Sequence, residues 1–129
     1  MSVDRQPTAQ DERADDLDAD LNSVVLRGRL AAPAVVAQLP SGSVVANFRV
    51  VLPRAPTTMT RGSRQKSDWV VCSVWTAALR RRVSGWQAGD HVEVSGSLRR
   101  RFSRSASVSS LEVEALQVRR IRAAPRSEG

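Results

Sequence analysis

Ser67-Asp68-Trp69-Val70-Val71-Cys72-Ser73-Val74-Trp75 reads as a strand with two unlike faces. Side chains alternate along a strand with period 2. Val70, Cys72 and Val74 then share a small apolar face, suited to the inside of a barrel, while Trp69, Val71, Ser73 and Trp75 share the other. The two tryptophans stand roughly 20 Å apart at ~3.3 Å per residue. A core strand has no need of large aromatics on its outer face; a surface on which bases stack does.

The segments around this strand alternate as well. In residues 22–30, Val24, Leu26 and Leu30 share a face with Gly28, which marks a bulge or tight bend. Ser23, Val25, Arg27 and Arg29 face the other way. Pro33 and the Pro40-Ser41-Gly42 turn bracket a short extended piece. Residues 44–52 form a second strand, with Val44, Ala46, Phe48, Val50 and Leu52 inward and Asn47 and Arg49 outward. The loop over residues 53–66 carries Arg54, Arg61, Arg64 and Lys66 and no acid, a composition that grips a phosphate backbone or simply solvates a loop.

After the opening strand, residues 76–86 predict a helix with Thr76 as N-cap. Leu79, Val83 and Trp86 fall on one face, which makes Trp86 a core residue rather than a stacking one. Residues 87–90 form a turn. Residues 91–98 alternate with Val92, Val94 and Leu98 inward, then run into Arg99-Arg100-Arg101-Phe102-Ser103-Arg104. Cations interleaved with an aromatic suit a single strand, the cations taking phosphates and the ring a base. A hairpin loop at 105–110 leads to a last strand running to Ile121, with Leu111, Val113 and Ala115 alternating against Glu112 and Glu114. Five strands with one short helix between strands 3 and 4 is the plan of an all-β OB-fold barrel.

Charge divides the chain. Net charge is +7, yet residues 1–20 hold seven acids and two arginines. The basic remainder points to a polyanionic partner. Residues 1–20 are expected as a disordered acidic arm, either a solvating tail or an internal decoy lying in the basic groove. Residues 21–122 form the binding domain and residues 123–129 a short flexible C-terminus. No apolar run approaches 18 residues, so no membrane-spanning helix is expected. The acidic start does not read as a secretory signal. The single Cys72 suits a buried thiol in a reducing cytoplasm. With one His and one Cys, a metal site is not expected, nor is a cofactor. No phosphate loop, dinucleotide fingerprint or nucleophile elbow occurs, and no catalytic residue is assigned.

Several motifs in order resemble the bacterial single-stranded-DNA-binding protein family, over roughly residues 21–121. Leu21-Asn22-Ser23-Val24-Val25-Leu26-Arg27-Gly28-Arg29-Leu30 is similar to the family's opening strand, and Pro40-Ser41-Gly42-Ser43-Val44-Val45-Ala46-Asn47 to its next turn and strand. Asp68-Trp69, with Trp75 six residues on, resembles an acidic-Trp pair followed by Phe, both of which stack on bases. Gly89-Asp90-His91-Val92-Glu93-Val94-Ser95-Gly96-Ser97-Leu98-Arg99-Arg100-Arg101 resembles the fourth strand.

The resemblance implies stacking on Trp69 and Trp75 and backbone contacts from Arg99 and Arg101. Phe102 lies one position before the family's tryptophan, and Thr76-Ala77 replaces its Gly-Lys. It also implies a homotetramer, with a dimer left open because Arg27 and Arg29 sit on a strand the family uses for subunit contact. The family's acidic C-terminal tip, which recruits replication enzymes, has no counterpart in Arg126-Ser127-Glu128-Gly129.

The expectation is a non-enzymatic, sequence-independent single-stranded-DNA-binding protein of replication, recombination or repair, cytoplasmic and nucleoid-associated. Trp69, Trp75 and Phe102 stack, and Arg49, Arg54, Arg61, Arg64, Lys66, Arg99, Arg101 and Arg104 meet phosphates. The rivals are a primosome-type accessory protein working through protein partners, and an RNA-binding module or enzyme subunit on the same barrel.

Overall fold

The computed structural model describes residues 17–101 and 110–125. Six strands and one helix follow in order: β1 (Val24–Leu30), β2 (Val35–Gln38), β3 (Val44–Pro53), β4 (Ser67–Val74), α1 (Ala77–Val83), β5 (His91–Arg101) and β6 (Ser110–Arg122). The strand order is β1-β5-β6-β4-β3-β2, and β1 also pairs with β3, so five strands close into a ring. This is the expected OB-fold barrel. The extended piece between Pro33 and Pro40 becomes β2, a four-residue strand paired to β3 outside the ring.

The barrel interior follows from the period-2 pattern. Leu30, Ala46, Phe48, Val50, Cys72, Val74, Val92, Val94, Val113, Ala115 and Val118 are all buried. Closure brings β1 against β3 at Arg29–Val51 and Leu30–Val50. Gly28 permits it, because a Cβ there would lie 2.1 Å from the Val51 carbonyl oxygen. Gly96 permits a close approach of β5 to β6, where a Cβ would lie 1.9 Å from the Glu114 carbonyl oxygen.

Two bulges break the alternation of β6. Gly96 faces Ala115 and Ser95 faces Gln117, leaving Leu116 as an extra residue; Val92 faces Arg120 and His91 faces Arg122, leaving Ile121 extra. An inserted residue reverses which side follows, so Val118 rather than Gln117 faces inward after Ala115. Leu98, expected inside, is half-exposed at the flared end of β5. Its backbone N–H and C=O both pair with the Asn22 side chain, at 2.8 and 2.9 Å, so Asn22 prolongs the β1–β5 ladder.

The helix is shorter than its apolar pattern. Thr76 caps it, its Oγ1 accepting from the Leu79 N–H at 3.2 Å, and Val83 is buried. Trp86 follows the helix into the core, 5% exposed, edge-on to Phe48 at 5.5 Å and 74°. Asp90 is a buried clamp before β5. Its carboxylate accepts from the backbone N–H groups of Gln87 (2.9 Å) and Ala124 (2.8 Å) and meets Arg120 at 3.5 Å. These bonds hold the chain leaving β6 against the turn entering β5. They also pull the Asp90 carboxyl below its usual range, the two backbone N–H groups contributing most.

Candidate nucleic-acid interface

The outward residues of β3 and β4 pair in three rungs: Asn47–Ser73, Arg49–Val71 and Val51–Trp69. Trp69 is 60% exposed. The Arg49 guanidinium lies over its ring, 5.0 Å from the centroid. A cation over a ring face at this distance is attracted to the ring quadrupole and steadies the indole.

Trp75 follows the last residue of β4 and is 41% exposed. Its Nε1–H donates to Ser73 Oγ at 3.2 Å, which lays the indole back along the strand and leaves Ser73 buried. Arg80 of α1 donates to the Trp75 carbonyl oxygen at 2.6 Å and to that of Val44 at 3.0 Å, fixing the backbone at the tryptophan.

A cavity of about 420 Å³ opens beside these rungs. Pro33, Val35, Phe48 and Val71 supply apolar wall, and Asn47, Arg49 and Arg101 supply polar groups. Arg101, from the far end of β5, therefore lines the same cavity as Arg49 of β3.

The other expected phosphate contacts fall differently. Arg54 meets Asp68 at 3.6 Å and Ser63 Oγ at 3.5 Å, bracing the β3–β4 loop. Arg99 meets Glu114 at 2.9 Å across the β5–β6 pair. Arg61, Arg64 and Lys66 are exposed on the loop. That loop has internal order, with Thr60 Oγ1 donating to the Ala55 carbonyl oxygen and accepting from the Thr57 N–H. Phe102 and Arg104 lie outside the described residues.

Around the barrel, charge is held differently. Glu93 meets both Arg27 and Arg119, and these cations, led by the Arg27 hydrogen bond, keep its carboxyl below the usual range. Behind the tryptophan strand, burial, with the Glu112 charge adding to it, pushes the Cys72 thiol up to about 12. Among the described residues no cluster of three or more His, Cys, Asp or Glu is placed to hold a metal ion, and no helix is long and apolar enough to cross a membrane.

One neighbour of the tryptophans was not visible in the strand pattern. Arg29 of β1 pairs with Val51, which itself pairs with Trp69. Only barrel closure brings them together.

A closed five-strand ring with outward aromatics and cations on β3 and β4 defines an OB-fold barrel of the oligomer-binding type. The model of the single-strand binding protein family matches residues 21–121, and the chain belongs to that family. A single-stranded DNA-binding protein of Oceanobacillus iheyensis is 32% identical over 81 residues, 63% of this chain and 49% of that protein. The match thus spans about half the length of that relative. The fold is also that of a Plasmodium falciparum SSB solved in complex with ssDNA, with a TM-score of 0.58 and 23% identity over 78% of this chain and 92% of that one.

Proposed function

We propose that this chain binds single-stranded DNA without sequence preference, by stacking and charge rather than by catalysis. The observation that carries the reading is the pair of exposed indoles on the β4 side of the barrel, with Arg49 over the Trp69 ring and Arg101 lining the same cavity as Arg49. Each base stacked on an aromatic contributes ~1–3 kcal/mol and reads no sequence, since every base has a π-face. Arg49, Arg101, Arg61, Arg64 and Lys66 neutralise phosphates, Arg54 and Arg99 do so by exchanging their carboxylate partners, and Phe102 and Arg104 extend the track. A duplex hides its base faces, so single strands are preferred.

The protein acts in replication, recombination or repair, in the cytoplasm at the nucleoid, as a homo-oligomer. Exposed Val25, Leu116 and Ile121 offer apolar surface for subunit contact. Titration of tryptophan fluorescence with oligo-dT at two salt concentrations tests the reading. Quenching that weakens in Trp75→Ala is expected; no quenching, or quenching unchanged in the variant, overturns it.

A further inference from the structure

Closure of the barrel sets one outward row across four strands. Trp69 of β4 pairs with Val51 of β3, Val51 with Arg29 of β1, and Arg29 with His91 of β5. Directly opposed residues of antiparallel strands point to the same face. With strands ~4.8 Å apart, the Arg29 backbone stands roughly 10 Å from that of Trp69 along the surface. The row holds no acid. Among the described residues Arg29 and Lys66 have no carboxylate partner, whereas Arg27, two residues along β1, is held by Glu93.

Beside the row a cavity of about 390 Å³ opens where β1 leaves β3, its polar lining made of Arg27, Arg29, Lys66, Ser67 and His91. Pairing between these strands stops after two residue pairs, which is why the gap exists. His91 Nδ1 is shielded from solvent and has no hydrogen-bond partner among the described residues. Polar capacity that a protein leaves unused at a buried atom calls for an explanation. Here it belongs to a residue that lines a cationic recess, beside the Val51 that pairs with Trp69.

We propose that Arg29, Lys66 and His91 form a phosphate-binding site that carries the strand onward from Trp69 over β1. The ligand is the phosphodiester backbone next to the base stacked on Trp69, and the site makes no base contact. Arg29 supplies two or more N–H donors in a plane, Lys66 a point charge from the loop, and His91 a ring nitrogen. The proposal rests on the single-strand reading of the tryptophan face.

Binding of end-labelled oligo-dT by the full chain, followed by anisotropy across a salt series, tests it independently of tryptophan emission. Each phosphate contact on a single strand contributes about 0.7 to the slope of log K against log salt. Arg29→Gln is expected to flatten the slope by about 0.7, and Arg29→Gln with Lys66→Gln by about 1.4. Arg29→Lys should keep most of it, and tryptophan quenching at saturation should be unchanged throughout. An unchanged slope in Arg29→Gln overturns the site. So does a variant that alters the sedimenting mass while leaving the slope intact, since the row is then a subunit contact. Loss of wild-type quenching with a slope still sensitive to Arg29 would overturn the stacking reading and leave the phosphate site standing.

Discussion

The tryptophan face of β3–β4 and the face made by β1, β5 and β6 both carry arginines, and the two hold them differently. On the second face, away from Arg29, carboxylates hold the cations: Glu93 stands in register with Arg27 and Arg119, and Arg120 reaches Asp90 in the turn before β5. On the first, Arg49 faces an indole ring and Arg101 an open cavity. Charge on the second face is therefore partly structural, and charge on the first is available to a ligand. The difference teaches that a cation's role is decided by what the neighbouring strand presents opposite it. Arg54 and Arg99 make the point within the expected site, since each has a carboxylate within reach.

The comparison can be broken at either end. Trp69→Ala should weaken oligo-dT binding by about 1–3 kcal/mol, roughly 5- to 150-fold, with the urea unfolding midpoint unchanged. A fall in stability of the same size would mean that Trp69 is a packing residue. Asp90→Ala should do the reverse. It strands the Gln87 and Ala124 N–H groups and should cost about 1.5–3 kcal/mol of stability with oligo-dT affinity unaltered.

The Asp90 contribution has a definite pH window. Its folded carboxyl titrates below the unfolded value of about 3.9. The native state thus holds fewer protons than the unfolded one in that range. The stabilisation is full above that value and is lost as pH falls through the lower folded one. Wild-type stability should drop more steeply than that of Asp90→Ala between about pH 5 and the folded value, as read from urea midpoints.

Arg49→Ala should have a smaller effect than the loss of the indole. The ring contact contributes about 0.5–1 kcal/mol at an exposed site, and one phosphate contact alters the salt slope by about 0.7. Emission of the unliganded protein should shift as well, because the charge over Trp69 is gone. Glu93→Gln should have the smallest effect, a slight drop in melting temperature, because exposed ion pairs contribute little. It releases Arg27 and Arg119, so oligo-dT affinity at low salt should rise.

Much of this was legible along the chain. Period-2 alternation is local, so Trp69 and the inward Cys72 and Val74 separate on inspection, and helical spacing assigns Trp86 to the core. What escaped depends on distant pairing. Asp90 finds Ala124 34 residues later, and nothing in a Gly-Asp turn announces that bond. Arg29 reaches Trp69 through Val51 only because β1 closes on β3. The inward set of β6 changes phase at the Leu116 bulge, which lies opposite the close approach of Gly96 on β5. Four-residue β2 was visible only as an extended piece, since so short a run carries little periodic signal.

Cys72 adds a consequence of another kind. It is the chain's single thiol, it lies on the inner side of the strand that bears Trp69, and it resists ionisation up to about pH 12. A thiol-specific reagent needs the thiolate, so at neutral pH it reaches Cys72 only when the barrel parts. Its labelling rate is therefore a clock for opening of the ring behind the tryptophan strand. Any ligand that clasps β3 to β4 should slow that clock in proportion to how tightly it is held.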